Sequence, residues 1–433
     1  MPESQEITPG RVAHAARGNM RRSGAFSRTM HADAATLAPA PAARRLTPAV
    51  RSDAQPCFAV GEDRLTLLDT GRARLDAVTR LIDEAQSSLR LLFYIYAGDA
   101  SGRRVTEALA GAARRGVDVR LIIDGFGCDA PDDFFADLEA AGGSVCRFVP
   151  RFGRRYLLRN HQKLILADAE GSRPRIVTGG FNIEDGYFDK GGDAWRDLGL
   201  LVEGPAAARL GGYFDALNSW VREPRPKLRR LNRELGRWSE KAGRLRWLIG
   251  GPTRRLSPWA RAVRADLRRA RRIGIIAGYF TPSPTMLRRL DRVGGRGQDV
   301  RVVTAARSDN DTTIAAARFT YAGLLRRGVR IFEYTASKLH TKLYAVDDAV
   351  YIGSANFDMR SLFINLELMI RIEDPAFADH VRAYVDGEIE SSDEITADEY
   401  RERTGPIRRA RQFLAYLLVA VLDPSVSRGL NVE

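Results

Sequence analysis

The segment His161–Asp168 has the sequence HQKLILAD, and it is matched by HTKLYAVD at His340–Asp347. Each segment places a lysine two residues after the histidine and ends on an aspartate. Two of the five histidines in the chain therefore lie in the same local context. A motif that occurs twice is a stronger signal than a single short match, and it predicts a duplicated domain.

Further features repeat on both sides of these segments. Two small residues precede an asparagine in Gly179–Asn182 (GGFN) and in Gly353–Asn356 (GSAN), and apolar strands close each half at Asp197–Glu203 and Glu367–Glu373. Helical patterns alternate with short apolar strands, which is typical of α/β domains. We predict a duplicated α/β domain with helices packed over a sheet.

This repeat divides the chain into five parts. Residues 1–56, rich in Arg, Ala, Pro and Ser, are predicted to be a disordered leader. The first repeat covers residues 57–222 and the second covers residues 247–390, with a basic linker at 223–246. Residues 391–433 form a C-terminal segment outside the repeat.

The charge and the cysteine content of the chain indicate which kinds of ligand it can bind. Lys plus Arg is 68 and Asp plus Glu is 54, so the net charge is +14. Such a surface favours anionic partners, either nucleic acid or acidic lipid head groups. The three cysteines, Cys57, Cys128 and Cys146, show no metal-ligand spacing. We therefore expect neither a disulfide framework nor a zinc site.

A single apolar run occurs near the C-terminus. Phe413–Leu422 (FLAYLLVAVL) follows Arg408, Arg409 and Arg411, and it is too short to cross a bilayer as a helix. One interpretation is a buried terminal helix. The other is an interfacial anchor with Tyr416 at the membrane surface. We expect no signal peptide and no transmembrane helix.

The repeated residues suit chemistry on a phosphodiester. Alternate side chains of an extended strand share a face, so each histidine projects beside its lysine. Lysines can neutralise the phosphate oxygens and asparagines can donate hydrogen bonds to them, which stabilises a pentavalent phosphorus. The predicted catalytic residues are His161, Lys163, Asn182, His340, Lys342 and Asn356.

Two histidines are sufficient for two-step catalysis. One can attack phosphorus while the other protonates the leaving alkoxide, and their roles then reverse. An imidazole pKa near 6.5 allows both states near neutrality. We therefore expect no metal and no other cofactor.

Six further residues are predicted to support this site. Two carboxylates at equivalent positions are candidates to orient the histidines, although they could also be surface carboxylates. Two aspartates that end the histidine segments are expected to hold turns or arginine side chains. The remaining two are the second small residues of the repeated pairs. The set comprises Asp197, Glu367, Asp168, Asp347, Gly180 and Ser354.

The paired motif resembles the signature of the phospholipase D superfamily, which is His-x-Lys-x4-Asp followed by Gly-Ser/Gly-x-Asn. Other segments resemble its cardiolipin synthase branch across roughly residues 58 to 385, most of the chain. These segments are Gly179–Asp185 with Tyr187, Trp195–Asp197, Glu203–Pro205, Ser308–Asp309, Gly353–Leu362 and Asn365–Glu367. The resemblance implies a duplicated phospholipase D-like fold, with two mixed β-sheets flanked by helices and one active site between the two lobes. It also implies a phosphohistidine intermediate.

The resemblance also implies a reaction and a location. It implies phosphatidyl transfer that makes cardiolipin from phosphatidylglycerol, with attack by His161 and acid/base work by His340. The alternatives are a phospholipase D-type hydrolase or a nucleic-acid phosphodiesterase, because a fold does not determine its substrate. We expect an anionic phospholipid substrate, with nucleic acid the less favoured partner. We also expect a monomer that is peripheral on the cytoplasmic face of the cell membrane.

Overall fold

The computed structural model describes residues 55–131, 133–149, 158–188, 194–253 and 256–422, without the side chains of residues 421 and 422. Two eight-stranded sheets of mixed direction, flanked by helices, confirm the predicted α/β class. Apart from its last two residues, the predicted leader lies outside the described residues.

The first lobe contains one of these sheets, in the order β1-β2-β9-β7-β6-β3-β4-β5. Its strands are β1 Cys57–Val60, β2 Asp63–Leu68, β3 Ser88–Phe93, β4 Asp118–Asp124, β5 Ser144–Phe148, β6 Leu164–Ala167, β7 Arg175–Gly179, β8 Trp195–Arg196 and β9 Gly199–Glu203. Its helices are α1 Gly71–Asp83, α2 Ala100–Arg114, α3 Ala136–Ala140, α4 Pro205–Ala208, α5 Gly211–Arg222 and α6 Leu228–Trp238. Strand β8 lies outside this sheet.

The second lobe contains the other sheet, in the order β10-β17-β16-β15-β11-β12-β13-β18. Its strands are β10 Leu245–Gly250, β11 Arg272–Ala277, β12 Asp299–Ala305, β13 Arg330–Tyr334, β14 Lys338–Leu339, β15 Lys342–Val346, β16 Ala349–Gly353, β17 Glu367–Glu373 and β18 Ser392–Ile395. Its helices are α7 Pro258–Asp266, α8 Pro284–Gly294, α9 Asp311–Leu325, α10 Met359–Phe363, α11 Pro375–Glu390, α12 Ala397–Arg403 and α13 Pro406–Leu417.

The two sheets repeat the same pairing scheme. In each, three parallel strands are followed by antiparallel ones: β3-β4-β5 corresponds to β11-β12-β13, and β6-β7-β9 corresponds to β15-β16-β17. Gly179 pairs with Gly199, and Gly353 pairs with Met369. Asp197 and Glu367 are therefore equivalent in register, each two residues before the paired position.

The inner faces of the two sheets share one hydrophobic core, to which α5, α6 and α11 also contribute. Separate cores lie under α1 and α2 in the first lobe and under α7, α8 and α9 in the second. Burial of each large apolar side chain stabilises the fold by about 1.5–3 kcal/mol. The shared core therefore holds the two lobes, and the active-site elements between them, in one arrangement.

The structure shows regular elements in the predicted linker and in the predicted C-terminal segment. The basic linker at 223–246 contains α6, which buries Leu228, Leu231 and Leu235 in the core shared by the two lobes. This helix forms because apolar side chains recur at helical spacing among the arginines. Strand β18 pairs with β13, so the second sheet extends past residue 390 into the predicted C-terminal segment.

Asp168 and Asp347 both lie in tight turns rather than facing the site. Their φ angles are 53° and 50°, in the left-handed region that aspartate tolerates better than most residues. The Asp168 carboxylate accepts hydrogen bonds from the backbone N–H groups of Gln86, Ser87 and Ser88, at 2.7–3.1 Å. The backbone N–H groups of residues 271 and 272 bond to Asp347 in the same way, at 2.9–3.0 Å.

We expect Asp168→Ala to lower the free energy of unfolding by about 1–3 kcal/mol, because one buried and two partly buried N–H groups lose their acceptor. Burial alone would raise the pKa of Asp168, but the backbone hydrogen bonds outweigh it and lower the pKa. The stabilisation is therefore present above the ordinary aspartate pKa and is lost as the pH falls through the lowered value. Denaturant unfolding at pH 7 and at lower pH measures both effects. Equal stability of the variant and the parent at pH 7 would contradict this role.

Helix α13 packs on α9 and continues into a π-helical turn at Leu418–Leu422. The Tyr416 side chain is buried, and its hydroxyl donates to the Pro282 carbonyl at 3.0 Å. The predicted position of Tyr416 at a membrane interface is therefore wrong, because this residue is on the packed face. The opposite face exposes Ile407, Leu414 and Leu418. None of the helices in the described ranges is long and apolar enough to span a bilayer.

Candidate active site

The segment before each candidate histidine, His161 and His340, pairs with the backbone of the opposite lobe. On one side, the Leu366 N–H donates to the Arg159 carbonyl and the His161 N–H donates to the Leu366 carbonyl, both at 2.9 Å. On the other, the His340 N–H donates to the Arg196 carbonyl at 2.8 Å, next to the parallel pairing of β14 with β8. Each histidine is thus placed beside the strand that carries the other lobe's carboxylate.

The orienting carboxylates are exchanged between the repeats. Nδ1 of His161 lies 3.0 Å from a Glu367 oxygen, and Nδ1 of His340 lies 2.6 Å from Asp197 Oδ2. An ionised carboxylate only accepts, so each Nδ1 donates and each Nε2 keeps its lone pair for reaction. Both carboxylates are fully buried, which excludes the surface interpretation.

The two carboxylates are held differently. Glu367 accepts from the Ser354 hydroxyl and, at 2.8 Å, from the Ser361 hydroxyl. Asp197 accepts from the Leu198 N–H at 2.7 Å. A side chain at position 180 would overlap the Asp197 carboxylate, so Gly180 leaves the space that this carboxylate occupies. Ser354 stands at the equivalent position, beside the longer glutamate. The two halves of the site are therefore chemically distinct.

Lys163 and Lys342 are buried beside the histidines. Each ammonium group donates to the carbonyl of the preceding histidine, at 2.7 Å for Lys163. Burial lowers the pKa of Lys163 to about 7 and that of Lys342 to about 8. A phosphodiester bound between these groups would favour their charged forms, so substrate binding and lysine protonation reinforce each other.

Burial also lowers the pKa of both histidines. The pKa of His340 falls to about 4 because burial and the Lys342 charge outweigh the opposing effect of Asp197. The pKa of His161 is lowered mainly by burial, with contributions from both lysines against Glu367. Since Lys342 acts on His161 and Lys163 acts on His340, the four side chains share one site. The resting histidines are neutral, as nucleophilic attack requires.

The two asparagines lie on the turns that follow β7 and β16. Asn182 Oδ1 accepts from the Ile95 N–H at 3.1 Å, which leaves its amide N–H groups as the donors. Asn356 Oδ1 has no hydrogen-bond partner in the described part of the chain, although the residue is buried. The structure thus brings together all six predicted catalytic residues, with Asp197, Glu367, Gly180 and Ser354 around them.

Several residues around the site were not among the predicted site residues. Rings of Tyr187, Trp195 and Tyr279 surround His340 at centroid distances of 5.2, 5.4 and 6.3 Å. Tyr94 lies against His161 at 5.2 Å, and Ser361 holds Glu367. Tyr187, Trp195 and Ser361 lie within or beside the repeated motifs, which was the available signal. Tyr94 and Tyr279 lie far from both histidines along the chain.

Known proteins resemble this chain over most of its length. The family model described as "Cardiolipin synthase, PLD-like domain" matches residues 78–217 and 263–388. The chain is 30% identical over 376 residues to cardiolipin synthase A of Pseudomonas putida (strain GB-1), covering 85% of this chain and 76% of that protein. It is 28% identical over 374 residues to cardiolipin synthase 1 of Bacillus anthracis, covering 81% and 72%.

A solved structure shows the same fold at low sequence identity. The phosphatidylserine synthase of Haemophilus influenzae Rd KW20 superimposes with a TM-score of 0.64 at 13% identity, covering 86% of this chain and 97% of that one. At this identity the likeness concerns the fold alone. It shows that the bilobal arrangement described above is one that a known protein adopts.

Proposed function

The chain belongs to the cardiolipin synthase family of phospholipase D-like domains, and we propose that it is a phosphatidyltransferase that makes cardiolipin from two molecules of phosphatidylglycerol. The observation that carries the proposal is the pair of exchanged contacts, His161 to Glu367 and His340 to Asp197, with a buried lysine beside each histidine. Two oriented imidazoles and two cations suit a two-step displacement at an anionic phosphodiester.

In the first step, Nε2 of His161 attacks the phosphorus of the donor lipid. The N–P bond forms, and the bond from phosphorus to the oxygen of the head-group glycerol breaks. His340 supplies the proton that the glycerol oxygen takes up. His340 is neutral at rest, and the negative charge of the bound phosphodiester favours its protonation.

In the second step, a hydroxyl of the acceptor lipid attacks the phosphorus of the phosphohistidine. The new O–P bond forms, the N–P bond breaks, and His340 takes the proton of the attacking hydroxyl. The products are cardiolipin from the two steps together and one free glycerol. Lys163 and Lys342 stabilise the charge of the phosphoryl oxygens in both transition states.

Purified protein with phosphatidylglycerol vesicles tests this function. We expect cardiolipin and glycerol in equal amounts, and persistence of the reaction in a strong chelator, because lysines and asparagines supply the charge stabilisation. A parallel incubation with oligonucleotides tests the nuclease alternative. Phosphatidate alone would indicate a hydrolase, and cleavage of oligonucleotides without lipid turnover would indicate a nucleic-acid phosphodiesterase.

We further propose that the protein acts as a monomer on the cytoplasmic face of the membrane. One chain supplies both histidines and both carboxylates, so a single copy contains a complete site. The net charge of +14 favours the anionic cytoplasmic leaflet. Clustered basic residues near such a surface contribute about 1 kcal/mol each.

The exposed face of α13 is the proposed contact with the bilayer. Ile407, Leu414 and Leu418 lie on one side of the helix at 88, 61 and 55% exposure, and Arg408 and Arg411 are exposed beside them. Apolar insertion together with basic residues gives reversible membrane binding. Deletion of the helix would also remove buried Tyr416, so substitution of the exposed residues is the cleaner test.

We expect replacement of Ile407, Leu414 and Leu418 by glutamine to lower binding to anionic vesicles by about tenfold or more, since three exposed apolar side chains lose their insertion. Vesicle co-sedimentation measures the binding. Turnover of a soluble short-chain phosphodiester serves as the control and should persist. Unchanged vesicle binding would show that α13 is only a packed terminal helix.

A further inference from the structure

The proposed transfer brings two phosphates into one site. The acceptor phosphatidylglycerol has its own phosphodiester, separated from the attacking hydroxyl by three carbon atoms. Lys163 and Lys342 lie beside the histidines, where the transferred phosphoryl group is held. Two like charges at this spacing repel each other strongly in a partly desolvated site. The acceptor phosphate therefore needs cations of its own, close to the histidines but distinct from the two lysines.

Arg159 is one such cation. It lies two residues before His161, and its carbonyl accepts from the Leu366 N–H of the other lobe at 2.9 Å. Its guanidinium carbon lies 4.1 Å from the centroid of the Phe126 ring, which is 72% exposed. One Arg159 N–H group donates to the Leu158 carbonyl at 3.1 Å, and a planar guanidinium has five N–H donors, enough for a bidentate contact with a phosphate as well.

Arg360 approaches the same place from the second lobe. It is the second residue of α10, next to Ser361, whose hydroxyl donates to Glu367 at 2.8 Å. The Arg360 carbonyl accepts from the N–H groups of Ile364 and Asn365 at 2.8 and 2.9 Å. The following residue, Leu366, bonds to Arg159. One short connection thus links the two arginines, although they come from opposite lobes.

Tyr94 is the side chain beside His161 on which both arginine charges act. Its ring lies 5.2 Å from the His161 ring and 5.3 Å from the Lys163 ammonium nitrogen. Burial raises the pKa of Tyr94, while the charges of Arg159 and Arg360 both act in the opposite direction. The two guanidinium groups are therefore within electrostatic range of a side chain that contacts the proposed nucleophile. Both arginine side chains are half-buried, so a ligand can reach them.

We propose that Arg159 and Arg360 form a second phosphate subsite, which binds the phosphodiester of the acceptor lipid and presents its hydroxyl to the phosphohistidine. The inference rests on the proposed function and names a part of it. Charged hydrogen bonds to a phosphate place the acceptor, and exposed Phe126 provides an apolar surface beside it. Water needs no such subsite, so the two arginines favour transfer over hydrolysis.

The test compares acceptors with and without a phosphate. Arg159→Gln, Arg360→Gln and the double variant are incubated with labelled phosphatidylglycerol, and the ratio of cardiolipin to phosphatidate is measured. We expect this ratio to fall about tenfold or more in the double variant, because charged hydrogen bonds to the acceptor are lost. Exchange of free labelled glycerol into phosphatidylglycerol, whose acceptor has no phosphate, should fall much less. The corresponding lysine variants should recover part of the ratio.

Arg104→Gln, an exposed arginine on α2, is the matched control and should leave both reactions unchanged. An unchanged product ratio in the double variant overturns the inference. Equal loss of cardiolipin formation and glycerol exchange also overturns it, since the arginines would then serve the chemistry or the fold. If the parent protein makes cardiolipin and the variants keep its ratio, only this inference fails. If the parent makes no cardiolipin, the proposed function fails and the inference falls with it.

Discussion

Alanine in place of His340 is expected to trap a phosphorylated enzyme, whereas alanine in place of His161 is expected to prevent its formation. Without His161 the phosphorus has no nucleophile. Without His340 the leaving glycerol oxygen must take its proton from water and the acceptor hydroxyl has no base, so the phosphoenzyme forms slowly and is not consumed. Each variant should lose about four orders of magnitude or more in kcat/KM, as expected when one member of a catalytic unit is removed. Rapid quench with labelled phosphatidylglycerol measures the phosphoenzyme.

The surroundings of the two histidines differ. The His161 side chain is 12% exposed and that of His340 is 7% exposed, within its group of aromatic rings. His380, which packs against Phe58 away from the site, is the control, and His380→Gln should form phosphoenzyme normally. Accumulation of phosphoenzyme in the His161 variant and its absence in the His340 variant would reverse the roles.

The second large effect follows from the exchange of carboxylates between lobes. Glu367 orients His161, so Glu367→Gln should slow formation of the phosphoenzyme. Asp197 orients His340, so Asp197→Asn should slow its breakdown and allow it to accumulate. An amide at either position removes the ionised acceptor and favours the wrong histidine tautomer. Losses of about 10²–10⁴-fold in kcat are expected, in line with related substitutions behind catalytic or metal-bound histidines.

Each strand provides its own control for this experiment. Glu367 begins β17 and Glu373 ends it, while Glu203 ends β9 in the first lobe. Glu373→Gln and Glu203→Gln should leave both half-reactions close to the parent values. If the Glu367 variant accumulated phosphoenzyme and the Asp197 variant failed to form it, each carboxylate would serve the histidine of its own lobe, contrary to the structure.

Local patterns in the sequence were sufficient for the fold class. Strands such as β3 and β4 are short apolar runs separated by helical segments, and burial of such runs in a sheet follows from the hydrophobic effect. The repeated motif identified six candidate catalytic residues because their spacing along the chain is preserved in both halves. The motif also identified Asp197 and Glu367 as candidate orienting groups, since they occupy equivalent places.

The orientation of the C-terminal apolar run, Phe413–Leu422, was not predictable from its sequence. A continuous apolar stretch has no periodicity, so its sequence could not indicate which side packs and which side faces solvent. The structure buries Tyr416 against the second lobe and exposes Leu414 on the same helix. Packing against α9 decides this, and the position of α9 depends on residues far away in the chain.

The sequence alone determined the duplication, the residue types of the site and the chemistry that those types permit. Only the tertiary structure decided which partners meet. His161 and Glu367 are 206 residues apart, and His340 and Asp197 are 143 apart. A histidine in one repeat could have paired with the carboxylate of either, because both have the same local context. The shared core determines which carboxylate each histidine contacts. It packs the two sheets face to face and places each histidine beside the carboxylate of the opposite lobe.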